Sequence, residues 1–600
     1  MENKMKKINL ALSSPEIVLC DPMTNAEILS AEAHKAATQG AEVIAFPELA
    51  ITGATLGDLF GQEPLLFAAE RALEKYVEMT ADISLISFIG LPLLVKGKIY
   101  NTVAAVSEGR VLGITASRDT RLSRYFTTLS GEQVATFVGG RDVIVSDILT
   151  YISEKDGARI IVEIGECDYG RTASLVEADL VINPTAVPEY VGLAEARRYR
   201  AECRSVDGTV YATVGAGVGE SGTDGVYAGV RLITKGGRAI MESAPFDSAP
   251  LIRNITLGAP TRVRKPREKT PGIEKFPFIP KDEGDLALAV KIQSVALAKR
   301  LVRSYSRKAV IGVSGGLDST LAVLVAAYAM DEAGLPRENV VAITMPCFGT
   351  TSRTKSNALA LATALGCTVR EIDIKRAVSL HFEDIGHEEG NYNVVYENAQ
   401  ARERTQIPMD IANAEGGLVV GTGDLSELAL GFATYGGDHL SMYGVNASIP
   451  KTLMRAILRY EAGRYAERGE EIVARTIIDV VDTPVSPELL PVGEESENKQ
   501  YTERIVGPYE LHDFFLYYLI GERMAPDKVL RIGARTFTDY TKDEISGYLE
   551  IFVRRFFSQQ FKRSCMPDGP RVTEISLSPR SAWQMPSDVS AVVWKEYFTK

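Results

Sequence analysis

A short glycine-rich stretch offers the clearest chemistry in the chain, Ser314-Gly315-Gly316-Leu317-Asp318-Ser319. It follows the apolar run 309–313, which is typical of a strand, and precedes the apolar run 320–330, which is typical of a helix. Glycines let backbone N–H groups close around a phosphate, and the start of a helix adds positive potential. The stretch lacks the Gly-Lys-Ser/Thr ending of the Walker motif, so the β,γ-phosphate chemistry of kinases and GTPases is not indicated. The pattern predicts an anion-binding loop of another kind.

The same loop resembles the signature of the ATP pyrophosphatases, also called PP-loop enzymes. Enzymes of that group cleave ATP between the α and β phosphates and adenylate a substrate. They include GMP synthetase, asparagine synthetase, argininosuccinate synthetase and tRNA-thiolating enzymes, so the loop alone does not identify the substrate. The resemblance implies that ATP is a substrate and that AMP and pyrophosphate are products.

Downstream segments narrow the resemblance to the NAD synthetases. Residues 396–402 read YENAQAR, and residues 421–436 read GTGDLSELALGFATYG. Near the end, residues 560–571 (QFKRSCMPDGPR) and 577–588 (LSPRSAWQMPSD) are similar to the basic tail of that family. The resemblance covers the chain from about 286 to 595, in the form seen in bacterial two-domain enzymes. It implies a carbon–nitrogen ligase that amidates nicotinic acid adenine dinucleotide (deamido-NAD).

The resemblance also implies a role for each candidate site residue. The ATP-binding residues would be Gly312, Ser314, Gly315, Gly316, Leu317, Asp318, Ser319 and Thr422. The residues that bind deamido-NAD would be Asn398, Arg402, Glu427, Phe432, Ala433, Thr434, Tyr435 and Lys562. Asp318 and Glu427 are hard oxygen ligands suited to Mg²⁺, and Asp318 is also a catalytic candidate. Lys562 would be a catalytic cation, for a phosphate or for charge that develops in the transition state.

The first part of the chain resembles the nitrilase fold, which is the glutaminase half of a glutamine-dependent NAD synthetase. Residues 46–49 (FPEL), followed by Thr52-Gly53 and Asp58-Leu59-Phe60, match the segment that carries the general base of that family, here Glu48. The family also uses a lysine, which stabilises the tetrahedral oxyanion, and a cysteine nucleophile, in that chain order.

The lysine and the cysteine are both missing from their expected positions. No lysine occurs between Lys98 and Lys155, and Arg118 is the cation in the expected region. A guanidinium has a different donor geometry and no useful proton exchange. Strand register puts Gly165 at the nucleophile position and Cys167 where an Asp is usual. We therefore expect a vestigial base at Glu48, a pseudo-glutaminase domain, and free ammonia as the nitrogen source.

Three alternatives stay open on the sequence. In the first, Cys167 is a displaced nucleophile of a working glutaminase, since a shift of two residues keeps side-chain parity on a strand. In the second, both halves are degenerate and the chain is a nucleotide sensor, although the intact SGGLDS, GTGDLSE and FKRSC segments argue against this. The third is another PP-loop ligase or thiolase, which would lack the LALGFATYG segment.

Two α/β regions must position these residues. Up to about residue 255, β-rich runs alternate with helical runs, and the resemblance implies a nitrilase-like α-β-β-α sandwich over 1–258. Residues 259–285 hold five prolines among many charges and are typical of a linker. Over 286–600 a second alternation predicts a parallel sheet, in a Rossmann-like PP-loop domain. Beyond about residue 508 we expect a helical extension, with aromatic-rich stretches in the core and at subunit contacts.

Composition limits the partners and the compartment. The net charge of −12 argues against nucleic acid, which needs a basic face. No apolar run is long enough to suggest a membrane span. The six cysteines are scattered without metal-ligand or disulfide spacing, which fits a reducing cytoplasm. The resemblance further implies a homo-oligomer, with an octamer as one candidate state.

Overall fold

The computed structural model describes residues 6–138, 140–153, 155, 157–166, 177–258, 263–264, 266, 272–349, 352–483 and 506–598. The chain forms two compact units. The first comprises Met1–Glu189, Leu193–Ser221 and Val226–Lys269. The second comprises Tyr190–Gly192, Gly222–Gly225 and Thr270–Lys600.

Two β-sheets form the centre of the first unit. Their strands are β1 (Lys7–Leu12), β2 (Val43–Ala45), β3 (Ile86–Val95), β4 (Lys98–Ser107), β5 (Arg110–Ala116), β6 (Gln133–Val138), β7 (Arg141–Ser146), β8 (Tyr151–Ile152), β9 (Arg159–Val162), β10 (Leu180–Thr185), β11 (Val210–Gly215), β12 (Arg231–Lys235), β13 (Arg238–Glu242) and β14 (Leu251–Thr256). The larger sheet has the order β14-β1-β2-β3-β4-β5-β7-β6, and the smaller has the order β13-β12-β11-β10-β9-β8. Both sheets mix parallel and antiparallel pairs, as in β1 with β2 and β1 with β14.

Helices cover the outer faces of the two sheets. They are α1 (Pro22–Thr38), α2 (Glu63–Met79) and α3 (Leu193–Arg204). Successive side chains of a strand point to opposite faces. Leu10 accordingly joins the core between the sheets, with Ile182 from the smaller sheet, whereas its neighbour Ala11 joins the core beneath α1 and α2. On the far side, Ala201 of α3 packs with Leu232. This layering is the predicted α-β-β-α sandwich.

A parallel sheet forms the centre of the second unit. Its strands are β15 (Lys308–Gly312), β16 (Val340–Thr344), β17 (Thr368–Glu371), β18 (Gly417–Gly421) and β19 (Tyr443–Gly444), and their order is β17-β16-β15-β18-β19. The helices are α4 (Glu283–Arg303), α5 (Leu317–Ala333), α6 (Ser352–Ala364), α7 (Lys375–Asp384), α8 (Val394–Glu415), α9 (Leu425–Leu430), α10 (Lys451–Glu467), α11 (Glu471–Asp482), α12 (Tyr509–Phe515), α13 (Pro526–Thr536), α14 (Lys542–Ser558), α15 (Gln560–Arg563) and α16 (Val592–Lys595). The predicted parallel α/β domain is confirmed.

The C-terminal part of the second unit is the predicted helical extension. Four of its phenylalanines are fully buried and pack in pairs, with Phe514 against Phe537 and Phe552 against Phe556. These aromatics form a hydrophobic core, as the sequence predicts. Within the described ranges, no helix combines the length and the apolar character that a bilayer span requires.

Candidate active site

The phosphate loop joins strand β15 to helix α5. Gly312 ends the strand and Leu317 begins the helix. Gly315 has φ of +87°, a left-handed conformation that glycine adopts at low cost. The Ser319 hydroxyl, in the first turn of the helix, accepts from the backbone N–H groups of Ser314 and Gly315, each at 3.3 Å. The loop therefore turns its N–H groups inward, toward the start of the helix, as an anion site requires.

Three neighbouring parallel strands bring the parts of this site together. The loop follows β15, Thr422 and Asp424 follow β18, and Asn446 and Lys451 follow β19. The carboxyl ends of such strands lie at one edge of the sheet, where ligands of α/β proteins bind. The Asn446 amide ties the segments to one another, because it donates to the carbonyl oxygens of Asp318 and Thr422, each at 3.0 Å.

Three carboxylates converge beside the loop. Oxygens of Asp318, Asp424 and Glu427 all lie within 4.8 Å of one another. Asp424 is fully buried and caps helix α9, with its Oδ1 accepting from the Glu427 N–H at 2.8 Å. Oxygen donors at this spacing are what Mg²⁺ prefers. The structure thus brings together the two predicted metal ligands, Asp318 and Glu427, and adds Asp424.

A buried lysine lies among these carboxylates. The Lys451 ammonium is 2.7 Å from Asp318, 2.7 Å from Asp424 and 3.0 Å from Glu427. The Tyr509 ring faces the same ammonium, with its centroid 5.5 Å away. With all groups ionised, three negative charges against one positive charge leave a net charge of −2. The cluster can therefore accept a divalent cation.

The proximity of these groups shifts their proton affinities. Burial, together with the charge of Asp318, raises the pKa of Glu427 to about 7 against the effect of Lys451. Burial also raises the pKa of Asp424 well above its usual value. Burial alone would lower the pKa of Lys451, but the three carboxylates raise it well above the ordinary lysine value. Lys451 is therefore a permanent cation in this site.

The residues predicted to bind deamido-NAD lie on one turn and the elements beside it. The Thr434 hydroxyl donates to Asn398 Oδ1 at 2.9 Å, and the Arg402 guanidinium donates to the Tyr435 carbonyl at 3.2 Å. The Tyr435 ring is half exposed. The predicted set is thus brought together, and its role in binding the dinucleotide stays a prediction.

Lys562 approaches the same turn from helix α15. Its ammonium donates to the carbonyls of Gly431 at 2.9 Å and Ala433 at 2.6 Å, while Phe432 between them faces the Arg555 guanidinium. Burial lowers the pKa of Lys562. Here Lys562 holds the turn in place, and its predicted role as a cation for phosphate is untested.

The candidate glutaminase base lies in the first unit. Glu48 is fully buried, and its two oxygens accept from the Asn101 amide at 2.7 Å and from the Ala186 N–H at 2.8 Å. Arg121 Nη2 lies 3.5 Å from Glu48 Oε2. Burial raises the pKa of Glu48, while Arg121 and Asn101 act in the opposite direction. The cation beside Glu48 is thus Arg121. Arg118, the cation considered from the sequence, pairs with Asp147 at 2.6 Å.

At the predicted nucleophile position, an added side chain would clash with an ion pair. Gly165 has φ of +82°, and a Cβ added there would lie 2.2 Å from Asp119 Oδ2 and 2.8 Å from Arg121 Nη2. Asp119 Oδ2 accepts from Arg121 Nε at 2.5 Å and from the Glu166 N–H at 2.9 Å. An ion pair therefore fills the space that a cysteine would need. Cys167, the alternative nucleophile, lies outside the described residues.

Comparisons with known proteins assign a family to each part of the chain. The family described as NAD synthase matches residues 290–529, and the family described as carbon-nitrogen hydrolase matches residues 9–238. The glutamine-dependent NAD(+) synthetase of Mycobacterium tuberculosis (strain ATCC 25618 / H37Rv) is 36% identical over 98% of this chain and 97% of its own length. This chain belongs to the NAD synthetase family. It is an enzyme of the carbon–nitrogen ligase class, with a nitrilase-like first domain, as the sequence predicts.

More distant NAD synthetases share the architecture. The Aquifex aeolicus glutamine-dependent NAD(+) synthetase is 26% identical over 92% of this chain and 94% of its own length. The crystal structure of a glutamine-dependent NAD(+) synthetase from Cytophaga hutchinsonii has a TM-score of 0.79 with 19% identity, and it covers 99% of both chains. That likeness supports the fold alone.

Sequence reasoning missed several residues of this NAD synthetase site. Asp424 and Glu427 are three residues apart, so they share a helix face, and that spacing was an available signal. Lys451 starts helix α10 directly after Pro450, where a cation opposes the helix dipole. That mismatch was a second signal. For Asn446, the sequence offers no comparable signal.

Proposed function

We propose that this NAD synthetase amidates deamido-NAD with ATP and free ammonia, and releases AMP and pyrophosphate. Family membership supports the ligase reaction, and the closed space at Gly165 supports ammonia as the nitrogen source. We take residues 1–258 as the nitrilase-like domain, 259–285 as the linker and 286–600 as the synthetase domain.

Adenylation is the first proposed step. The nicotinate carboxylate attacks the α-phosphate of ATP, a mixed anhydride with AMP forms, and pyrophosphate leaves. Loop residues 314–319 would hold the phosphates through inward N–H groups and hydroxyls. The oxygens of Asp318, Asp424 and Glu427 fit Mg²⁺, which when bound would neutralise charge on the pyrophosphate. Lys451, which is permanently charged, adds a cation at the same place.

Amide formation is the second proposed step. Ammonia attacks the activated carbonyl carbon, the bond from that carbon to the AMP oxygen breaks, AMP leaves with the electron pair, and the nitrogen loses one proton to solvent. Asn398, Arg402 and the 431–435 turn would hold the nicotinate end of the dinucleotide. Catalysis then rests on positioning and charge neutralisation, and no side-chain nucleophile is needed.

The nitrogen source follows from the chemistry of a glutaminase. Glutamine hydrolysis in the nitrilase family needs a thioester, which glycine cannot form. The oxyanion of that reaction needs a cation, but the Arg121 guanidinium near Gly165 is already paired with Asp119 and lies beside Glu48. Glu48 alone cannot replace the missing groups, since base, cation and nucleophile act on one intermediate.

A second candidate is a glutamine-dependent NAD synthetase in which Cys167 is the nucleophile. The names of the relatives from Mycobacterium tuberculosis and Aquifex aeolicus favour it, because both are called glutamine-dependent.

Product analysis tests the ligase proposal. Pure protein is incubated with ATP, deamido-NAD, Mg²⁺ and ammonium, and the nucleotides are separated. We expect AMP, pyrophosphate and NAD in equal amounts. ADP formed in step with NAD would contradict the proposal. Glutamate release from glutamine, measured in parallel, separates the two nitrogen sources.

A further inference from the structure

A buried carboxylate in the helical extension joins two elements of the synthetase site. Asp513, on helix α12, is 1% exposed. Its Oδ2 accepts from the N–H of Thr452 at 2.9 Å and from the Thr452 hydroxyl at 2.7 Å. Its Oδ1 accepts from the Ser426 hydroxyl. One side chain thus binds the first turns of helices α9 and α10.

The residues that Asp513 binds are next in sequence to the charged cluster. Ser426 lies between Asp424 and Glu427, and Thr452 follows Lys451. The Ser426 hydroxyl also accepts from the Lys451 N–H at 2.9 Å, so the two turns are linked directly as well. The separation between the Lys451 backbone and the carboxylate-bearing turn is therefore fixed by one connected set of hydrogen bonds.

Helix α12 reaches the cluster at a second point. Tyr509 lies one turn before Asp513, and its ring is the aromatic group that faces the Lys451 ammonium at 5.5 Å. Helix α12 thus acts on Lys451 at two points. Asp513 holds the backbone beside Lys451 through Thr452, and the Tyr509 ring contacts the Lys451 ammonium. Burial of Asp513 leaves little space for another arrangement of these contacts.

We propose that Asp513 is a positioning residue, which sets the geometry of Lys451 and of the Asp424–Glu427 turn for ATP and Mg²⁺. The proposal rests on the function proposed above for that cluster. Asp513 itself touches neither substrate nor metal. An amide in its place keeps only one acceptor oxygen, so either Ser426 or Thr452 is released, and the cluster then no longer holds its carboxylates and ammonium at the spacing that a divalent cation needs.

The test compares Asp513→Asn with a matched buried carboxylate, Glu461→Gln. Glu461 is fully buried on helix α10 and accepts from the Tyr328 hydroxyl of helix α5 at 2.6 Å and from Arg464 of its own helix at 2.8 Å, so it ties α10 to α5. Loss of an outer-shell partner typically costs about 10–100-fold in metal affinity or activity. For Asp513→Asn we expect kcat to fall, and the Mg²⁺ concentration for half-maximal activity to rise, by about 10-fold or more. For Glu461→Gln we expect a lower Tm with an unchanged Mg²⁺ requirement.

Equal Mg²⁺ dependence in wild type and Asp513→Asn would overturn the proposal, as would equal shifts in both variants. If Asp513→Asn does not fold, Ser426→Ala and Thr452→Val each remove one donor to the same carboxylate and give the same readout. Asp318→Ala separates this proposal from the function on which it rests. An active Asp318→Ala enzyme refutes the function, whereas an inactive one beside a normal Asp513→Asn refutes the positioning role alone.

Discussion

Each unit holds a cluster of opposite charges around a buried carboxylate, and the clusters differ in how completely their charges are matched. In the first unit, Glu48, Asp119 and Arg121 leave a net charge of −1, and Asp119 is held by a guanidinium and a backbone N–H. In the second unit, Lys451 is the one ammonium among three carboxylates, with a net charge of −2. We call the group of Glu48, Asp119 and Arg121 the closed cluster, because its cation is already paired. We call the group of Asp318, Asp424, Glu427 and Lys451 the open cluster, because it can still take a cation.

Under the proposed function, Glu48 is a catalytic position that is kept while its chemistry is lost. Glu48 retains its buried place and its two hydrogen-bond donors. In that proposal, the ion pair of Asp119 and Arg121 takes the place of the nucleophile and of the lysine. In the synthetase unit, burial and the neighbouring carboxylates raise the pKa values of Asp424 and Glu427, as is typical of functional sites.

The largest expected effect concerns the open cluster. We expect Asp318→Ala or Glu427→Ala to lower NAD formation by about 1,000-fold or more, since each removes an oxygen ligand for the metal. Asp331→Ala is the matched control, because Asp331 lies on the same helix as Asp318 but is exposed and pairs with Arg337. Initial rates and circular dichroism of the three variants check this. Near-wild-type turnover by a folded Asp318→Ala enzyme would refute the role of the cluster.

The closed cluster predicts a smaller effect on stability. We expect Gly165→Cys to gain no glutaminase activity and to lower the free energy of unfolding by about 2–3 kcal/mol, from a positive φ and a steric conflict with Asp119. Gly131→Ala has a similar positive φ but no atom within 4 Å of the added Cβ, so it isolates the backbone cost of about 1 kcal/mol. Chemical denaturation measures both. Glutamate release by Gly165→Cys would show that the site is open after all.

A buried histidine and a buried carboxylate respond to acid in opposite directions. Burial lowers the pKa of His512, in the second unit, to about 4, below its ordinary value of 6.5. The unfolded chain then binds the proton more readily than the folded one, so stability is lost as pH falls from about 6.5 toward 4. Glu48 acts in the opposite direction, because its pKa is raised in the folded state.

We expect His512 to account for a loss of about 2 kcal/mol between about pH 8 and pH 5. Denaturation of wild type and His512→Gln across this range measures it, and the variant should have the flatter profile. Parallel profiles would mean that His512 does not titrate as the structure implies.

How much of each site the sequence predicts depends on how far apart its residues are in the chain. The loop around Asp318 is local, and a strand, glycines and a helix in succession suffice to find it. Lys451 and Asn446 join that loop only through the order of β15, β18 and β19, which sequence spacing does not reveal. The sequence indicates Arg118 as the cation beside Glu48, whereas the structure places Arg121 there. The reason is related, because strand register does not determine the path of the loop that follows the strand.

The nitrogen source tests the central claim most directly. Wild-type enzyme is incubated with ATP, deamido-NAD, ordinary ammonium and an equal concentration of glutamine whose amide group carries heavy nitrogen. The mass of the NAD product is then measured by mass spectrometry. The account predicts NAD with ordinary nitrogen only, no glutamate, and the same result for Cys167→Ser. Heavy NAD from the wild type that disappears in Cys167→Ser would identify Cys167 as a working nucleophile and contradict the account.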